Sequence, residues 1–83
     1  MPPYVFIWQP DDDSDATAVP LWDVSPRHVL DAAADLDMPH DLFTDTFLYR
    51  LLYSLTYQLW HGKAAAAFNL PDGGTVTVRR ATL

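Results

Sequence analysis

The chain contains no cysteine and no glutamate, and its only lysine is Lys63. Without cysteine it can form no disulfide, no thiolate metal site and no thiol nucleophile. Five basic residues against 11 aspartates give a net charge of −6, which argues against binding to a nucleic-acid backbone as the main activity. We therefore expect neither thiol chemistry nor direct nucleic-acid binding.

Motifs for catalysis, metals and cofactors are also missing. Asp11, Asp13 and Asp15 have the spacing that opens a calcium loop, but Ala16 and Trp22 stand where that loop needs glycine and glutamate. The three histidines lack metal-binding spacings, and no serine lies in a nucleophile turn. The sequence thus predicts no enzyme, no metal site and no cofactor.

Segments for export or membrane insertion are lacking as well. The apolar run Tyr4–Trp8 is too short for the core of a signal peptide. Residues 42–60 have the length of a membrane span but contain too many polar side chains to cross a bilayer. With 49% hydrophobic residues, we expect one folded domain over residues 1–83, in the cytoplasm and away from membranes.

The charges are unevenly distributed along the chain. Residues 1–45 hold ten of the aspartates and one arginine, whereas residues 46–83 hold one aspartate and four basic residues. If the two halves do not interleave, the folded molecule has an acidic side and a mildly basic side. Such an acidic side serves either to meet a basic partner or only to keep the protein in solution.

The first segments predict a β-hairpin. The β-branched and aromatic residues of Tyr4–Trp8 favour a strand, and because both of its faces are apolar we expect it to be central and covered on both sides. Residues 18–22 predict a short return strand. Pro20 lacks an N–H group, so this strand should lie at an edge of the sheet.

Two helices are predicted to follow. Ser25 is expected to cap the first helix, with Pro26 at its first position, and Pro39 should end it near Asp37. The second helix is predicted from Pro39 or Asp41 to His61, and Gly62 should provide a left-handed end. These boundaries place a helical pair in the middle of the chain.

A second hairpin is predicted at the end of the chain. Pro71-Asp72-Gly73 is typical of a turn, and residues 75–79 alternate so that Val76 and Val78 should point inward. Residues 64–70 are the expected partner strand, although their alanines also allow a continued helix. The predicted fold is therefore a small two-layer α+β domain of order ββααββ, with an antiparallel sheet of three or four strands and both helices on one face.

The second predicted helix is apolar on more than one side. At about 100° per residue, its leucines form one stripe, its aromatics a second, and polar residues the remainder. The leucine stripe contains Leu48, Leu52, Leu55 and Leu59; the aromatic stripe contains Tyr49, Tyr53, Tyr57 and Trp60, flanked by Leu42; the polar residues are Arg50, Ser54, Gln58 and His61. So short a chain cannot cover all of these surfaces, and the excess predicts a homo-oligomer or a protein partner, unless the aromatics form the core.

These features together favour a non-enzymatic binding protein. Its acidic first half would meet a basic surface on the target, and its aromatic side chains would supply the buried contact. Small acidic inhibitors such as immunity proteins, antitoxins and phage anti-defence proteins work in this way. The predicted partner-binding residues are Asp11, Asp12, Asp13, Asp15, Asp31, Asp35, Tyr49, Tyr53, Tyr57 and Trp60.

Two other functions are consistent with the same sequence. In the first, the chain is an obligate homodimer or a structural subunit of a larger assembly, and the aromatic residues serve only that association. In the second, it is a small enzyme whose site forms at a dimer interface, for which no catalytic constellation is visible.

Overall fold

A computed structural model describes residues 1–81 of the chain. It contains four strands, two α-helices and one short 3-10 turn. In chain order they are β1 (Tyr4–Gln9), β2 (Thr17–Leu21), α1 (Pro26–Asp35), the 3-10 turn His40–Leu42, α2 (Asp45–Trp60), β3 (Ala65–Asn69) and β4 (Thr75–Arg80). The predicted order ββααββ is confirmed, and the alanine-rich segment is a strand.

The strands form one antiparallel sheet in the order β2-β1-β4-β3. β1 pairs with β2, so that Val5 lies opposite Pro20, and also with β4, so that Phe6 lies opposite Val78. Pro20 is therefore in an edge strand, as predicted, and β1 is central. The pairing of β1 with β4 also interleaves the two halves of the chain, so the condition for separate acidic and basic halves is not met.

Both helices pack on one face of the sheet and enclose a single core. Phe6, Val76 and Val78 are fully buried on this face, and Ala66 of β3 is fully buried where α2 approaches the sheet. The helices contribute a further group of buried side chains: Val29, Ala32 and Ala33 from α1, and Leu51, Leu52, Leu55 and Leu59 from α2. Leu48 of the predicted leucine stripe is only half-buried.

The opposite face of the sheet is open, contrary to the prediction that β1 is covered on both sides. Alternation along β1 places Val5 and Ile7 on this face, where both are half-buried. Ala65 and Ala67 of β3 also lie on this face and are exposed. Within residues 1–81, no helix or second sheet packs over these side chains.

Both helices end in the same way. The N–H groups of Asp37 and Met38 bond to the carbonyls of Ala34 and Ala33, at 3.1 and 3.0 Å, and Asp37 has a φ of 58°. At the end of α2, Gly62 has a φ of 85° and bonds to Leu59. This left-handed ending satisfies the last carbonyls of each helix, and it confirms the role predicted for Gly62.

The first helix starts where it was predicted to start, with Ser25 as its N-cap residue and Pro26 as its first helical residue. Among the described residues, however, the side chain of Ser25 accepts no hydrogen bond from the helix backbone, and its Oγ lies 2.8 Å from Nδ1 of His28 instead. The second helix starts later than predicted. α2 begins at Asp45 rather than at Pro39 or Asp41, because the Oγ1 of Thr44 accepts a hydrogen bond from the N–H of Phe47, at 3.2 Å. A threonine cap therefore separates α2 from the preceding 3-10 turn.

The turn between β3 and β4 has the predicted geometry. The N–H of Gly73 bonds to the carbonyl of Leu70 at 3.0 Å, and the N–H of Leu70 bonds to the carbonyl of Gly74 at 2.7 Å. Gly73 has a φ of 98°, which only glycine adopts without strain. Val76 and Val78 point into the core, as expected from the alternation of this strand.

Candidate protein-binding surface

The aromatic stripe of α2, defined as Tyr49, Tyr53, Tyr57 and Trp60, lies on the outer surface of the molecule. These side chains are 71%, 73%, 54% and 89% exposed, respectively. The buried leucines of α2 occupy the opposite side of the helix, so the stripe faces away from the sheet. The stripe is therefore not part of the core of a single chain.

The rings of the stripe are organised among themselves. Tyr53 and Tyr57 are stacked, with ring centroids 6.2 Å apart and planes at 20°. The ring of Tyr57 also lies 4.2 Å from that of His61, which follows the helix. These contacts restrict the rings of Tyr53 and Tyr57, which lowers the entropy that these two side chains would lose on binding another surface.

Carboxylates gather at the end of the sheet where both hairpins turn, here called the acidic end. Gln9 lies opposite Thr75, so the loop of Asp11–Asp15 and the turn with Asp72 are neighbours. A recess at this end is lined by Asp11, Asp12, Asp15 and Asp72, together with Trp8, Leu36 and Pro39. Asp72, from the second half of the chain, thus joins the acidic loop of the first half.

The loop at the acidic end is ordered by its own hydrogen bonds. Oδ1 of Asp12 accepts a hydrogen bond from the N–H of Ser14 at 3.1 Å, and the Gln9 amide donates to the Ser14 carbonyl at 2.7 Å. Hydrogen bonding from Ser14, through its side chain and its backbone, lowers the pKa of the Asp12 carboxyl below its ordinary value. The loop therefore presents Asp12 as a carboxylate at neutral pH.

Asp31 and Asp35 lie on α1 and are exposed. Asp31 is on the side of α1 away from its buried residues Val29, Ala32 and Ala33, and therefore on the outer surface of the helical layer. The aromatic stripe lies on the same surface of this layer. Part of the predicted acidic set therefore faces outward from the same layer as the aromatic stripe, whereas Asp11–Asp15 lie at one end of the sheet.

Three of the five basic residues, Lys63, Arg79 and Arg80, occupy the opposite end of the sheet, here called the basic end, where Asp23 lines a recess together with Arg80. Tyr4 lies opposite Arg80, and Ala65, which follows Lys63 closely, lies opposite Arg79. Nη2 of Arg80 donates to the carbonyl of Leu59 at 3.1 Å, and its guanidinium lies 6.0 Å from the centre of the Tyr4 ring. The charge separation therefore runs from end to end of the domain rather than between the halves of the sequence.

Both edges of the sheet are protected against further strands. At the β3 edge, Nε2 of Gln58 donates to the carbonyl of Ala67 at 3.0 Å, and the N–H of Ala67 donates to Oε1 of Gln58 at 3.2 Å. At the β2 edge, Pro20 has no N–H to offer. The sequence assigned Gln58 to a polar stripe, but nothing in the sequence showed that β3 would lie beside it.

Trp8 is a second feature that the sequence did not reveal. Its Nε1 is buried and has no hydrogen-bond partner among residues 1–81. A buried N–H group without an acceptor costs free energy, on the order of 1–3 kcal/mol. Trp8 therefore contributes apolar contact to the core at the expense of one unsatisfied donor.

Residues 1–81 contain neither a cluster of metal-ligating side chains nor a helix suited to crossing a membrane. In the part of the chain that the structure describes, no group of three or more histidine and aspartate side chains is arranged so that it could hold a metal ion. Across residues 1–81, neither α1 nor α2 has the length and apolar character that a membrane-crossing helix needs.

Comparison of the chain with known protein families, with curated proteins and with solved structures found no match.

Proposed function

We propose that the chain is a non-enzymatic protein-binding module that acts as a small acidic inhibitor of a protein with a basic surface. Its aspartates attract and orient the partner, and its exposed aromatic side chains are buried against another protein chain. The observation that carries the proposal is the exposure of the aromatic stripe, opposite the core of a helix whose inner side is well packed.

The exposed area supports an interface. Tyrosine and tryptophan side chains each bury about 150–250 Å² in cores and interfaces. Since the four side chains of the stripe are between 54% and 89% exposed, together they offer on the order of 400–700 Å² of contact area. Contiguous apolar patches of this size on single chains are often functional.

The charge layout supports a basic partner. Asp11, Asp12, Asp13 and Asp15 are exposed in one loop, and Asp72 lines the same recess. Such a concentration of carboxylates accelerates encounter with a cationic surface, and the acceleration falls as salt rises. Immunity proteins, antitoxins and phage anti-defence proteins are the functional classes that the small size and the acidity of the chain suggest by analogy.

Capture of the partner tests this proposal. The tagged wild-type chain is incubated with lysate of its host beside a variant in which Asp11, Asp12, Asp13 and Asp15 are replaced by asparagine. We expect mass spectrometry to identify a basic protein that the wild type retains and the variant loses, and the association rate of the purified pair should fall with salt. Equal capture by both chains, or a rate independent of salt, would refute the inhibitor proposal.

A homodimer or assembly subunit without inhibitory activity is the second candidate. The observation that favours it is the exposed aromatic stripe, while the two protected sheet edges disfavour association by strand addition. In that case the quadruple asparagine variant would behave like the wild type in every capture experiment.

A further inference from the structure

The aromatic stripe has a spacing that is nearly the same in both directions. Its members stand at positions 49, 53, 57 and 60, so the intervals are four, four and three residues. Reversing the helix about a point close to residue 55 superimposes Tyr49 on the place of Trp60, and Tyr53 on that of Tyr57. A surface with this property can pack against an identical copy of itself across a two-fold axis.

The charges at the two ends of α2 are also complementary when the helix is paired with a reversed copy of itself. α2 starts with Asp45 near the acidic end, where the ring of Phe47 lies 5.8 Å from that of Phe68, and it is followed by Lys63 at the basic end. In an antiparallel pair, Asp45 of each chain would lie near Lys63 of the other. The opposed helix dipoles and the opposed acidic and basic ends add to this complementarity.

We infer that the partner of the aromatic stripe is a second copy of this chain, bound through an antiparallel pair of α2 helices. Tyr53 of each chain faces Tyr57 of the other near the two-fold axis, and Tyr49 faces Trp60 toward the ends.

The contact area of the aromatic stripe and the protected edges of the sheet are both consistent with this arrangement. A stable interface buries about 800 Å² on each partner. The stripe supplies on the order of 400–700 Å² of this, and Thr46, Arg50 and His61, which are also exposed on α2 or directly after it, extend it. Strand addition is a poor alternative because Gln58 and Pro20 protect the two edges.

This inference goes beyond the proposed function by assigning the aromatic stripe to a second copy of the chain, so that a basic target would meet the dimer through the aspartates of the acidic end. A dimer would form with or without a basic target, and a basic target can be captured by a chain that stays monomeric. The two are therefore separated by experiment, because dimerisation is measured on the purified chain alone.

Sedimentation of the purified chain is the first test. We expect a species of twice 9.4 kDa that dissociates on dilution. Replacing both Tyr53 and Trp60 with alanine should raise the dissociation constant at least about 30-fold, as for residues at the centre of an interface. Since both side chains are exposed, circular dichroism should show an intact fold. A wild-type chain that stays monomeric at its highest soluble concentration would overturn the inference.

The orientation is tested with cysteines, since the natural chain has none. A short bismaleimide should cross-link a mixture of Tyr53→Cys and Tyr57→Cys chains, and it should leave Ser14→Cys chains, altered in the exposed loop, uncoupled. Cross-linking through Ser14→Cys alone would place the interface elsewhere and overturn the inference.

Charge exchange tests the register. Asp45→Lys and Lys63→Asp should each weaken self-association, because each places like charges together at both ends of the helix pair. An equal mixture of the two variants should form a heterodimer with near wild-type affinity. If the mixture associates no better than either variant alone, the antiparallel register is wrong.

Discussion

Gln58 and Ala67 exchange two hydrogen bonds, one in each direction, so that a side-chain amide stands where a neighbouring strand would otherwise pair. The donor–acceptor distances are 3.0 and 3.2 Å. The same amide nitrogen also lies 3.0 Å from Oγ of Ser54, one turn earlier on α2. This contact ties the helix to the edge of the sheet and occupies a backbone donor and a backbone acceptor of β3.

Replacing Gln58 with methionine tests this contact. The change keeps the approximate length of the side chain but removes both the Nε2 donor to the Ala67 carbonyl and the Oε1 acceptor of the Ala67 N–H. We expect the free energy of unfolding to fall by about 1–2 kcal/mol, the contribution of one or two hydrogen bonds. We also expect faster hydrogen exchange at the Ala67 amide, because its acceptor is gone.

Ser54→Ala is the matched control for that experiment. It removes the Oγ next to Gln58 but leaves both bonds to Ala67. Ser54→Ala should therefore have only a small effect on the rate of hydrogen exchange at the Ala67 amide. If the Ala67 amide exchanges at the same rate in Gln58→Met and Ser54→Ala, the edge contact does not exist as described.

The parts of this fold that could be predicted from the sequence are those in which the backbone chemistry of a single residue restricts the conformation. Pro20 had to lie at an edge because it lacks an N–H, and Gly62 and Gly73 had to supply positive φ angles. The alternation around Val76 and Val78 likewise needed no knowledge of neighbours. In each case the local chemistry allows few conformations, so the sequence was sufficient to predict the local structure.

The unpredicted parts depend on which elements become neighbours. Gln58 looked like a surface residue because its partner lies nine positions later, on a strand whose identity was itself uncertain. Threonine capping moved the start of α2 to Asp45, although two earlier positions were plausible. The acidic end could not be predicted either, since Asp72 joins Asp11–Asp15 only through the pairing of β1 with β4.

A pair of α2 substitutions distinguishes core from surface. Leu55 is fully buried, whereas Tyr53, two positions away, is 73% exposed. Leu55→Ala should lower the free energy of unfolding by about 2–5 kcal/mol because it leaves a cavity. Tyr53→Ala should change it by no more than about 0.5 kcal/mol. Both are measured by urea denaturation at a concentration where the chain is monomeric; a large loss for Tyr53→Ala would mean that the stripe is structural.

The carboxyl of Asp12 provides a prediction about pH. Ser14 lowers its pKa, so Asp12 stabilises the fold above its pKa in the unfolded chain, and that contribution disappears as pH falls through the lower pKa of the folded chain. We expect an NMR titration to place the Asp12 midpoint lower in the folded chain than in the chain unfolded by urea. Ser14→Ala should raise the folded midpoint partway, since the backbone N–H of residue 14 still donates. Equal midpoints in the folded and unfolded chains would contradict this.

Gly73 and Gly62 both have positive φ angles, but their surroundings differ, and alanine at each position separates the two causes of destabilisation. At Gly62 a Cβ would meet open space, so Gly62→Ala should cost only backbone strain, about 1–2 kcal/mol. At Gly73 the same strain applies, and a Cβ would also lie 2.7 Å from Cγ of Asp11. Because the Asp11 side chain is exposed and can rotate away, we expect Gly73→Ala to lower the midpoint of urea denaturation only slightly more than Gly62→Ala does. Combining Gly73→Ala with Asp11→Ala should remove the difference, with Asp11→Ala alone as the control. If the double variant is no more stable than Gly73→Ala, contact with Asp11 is not the cause.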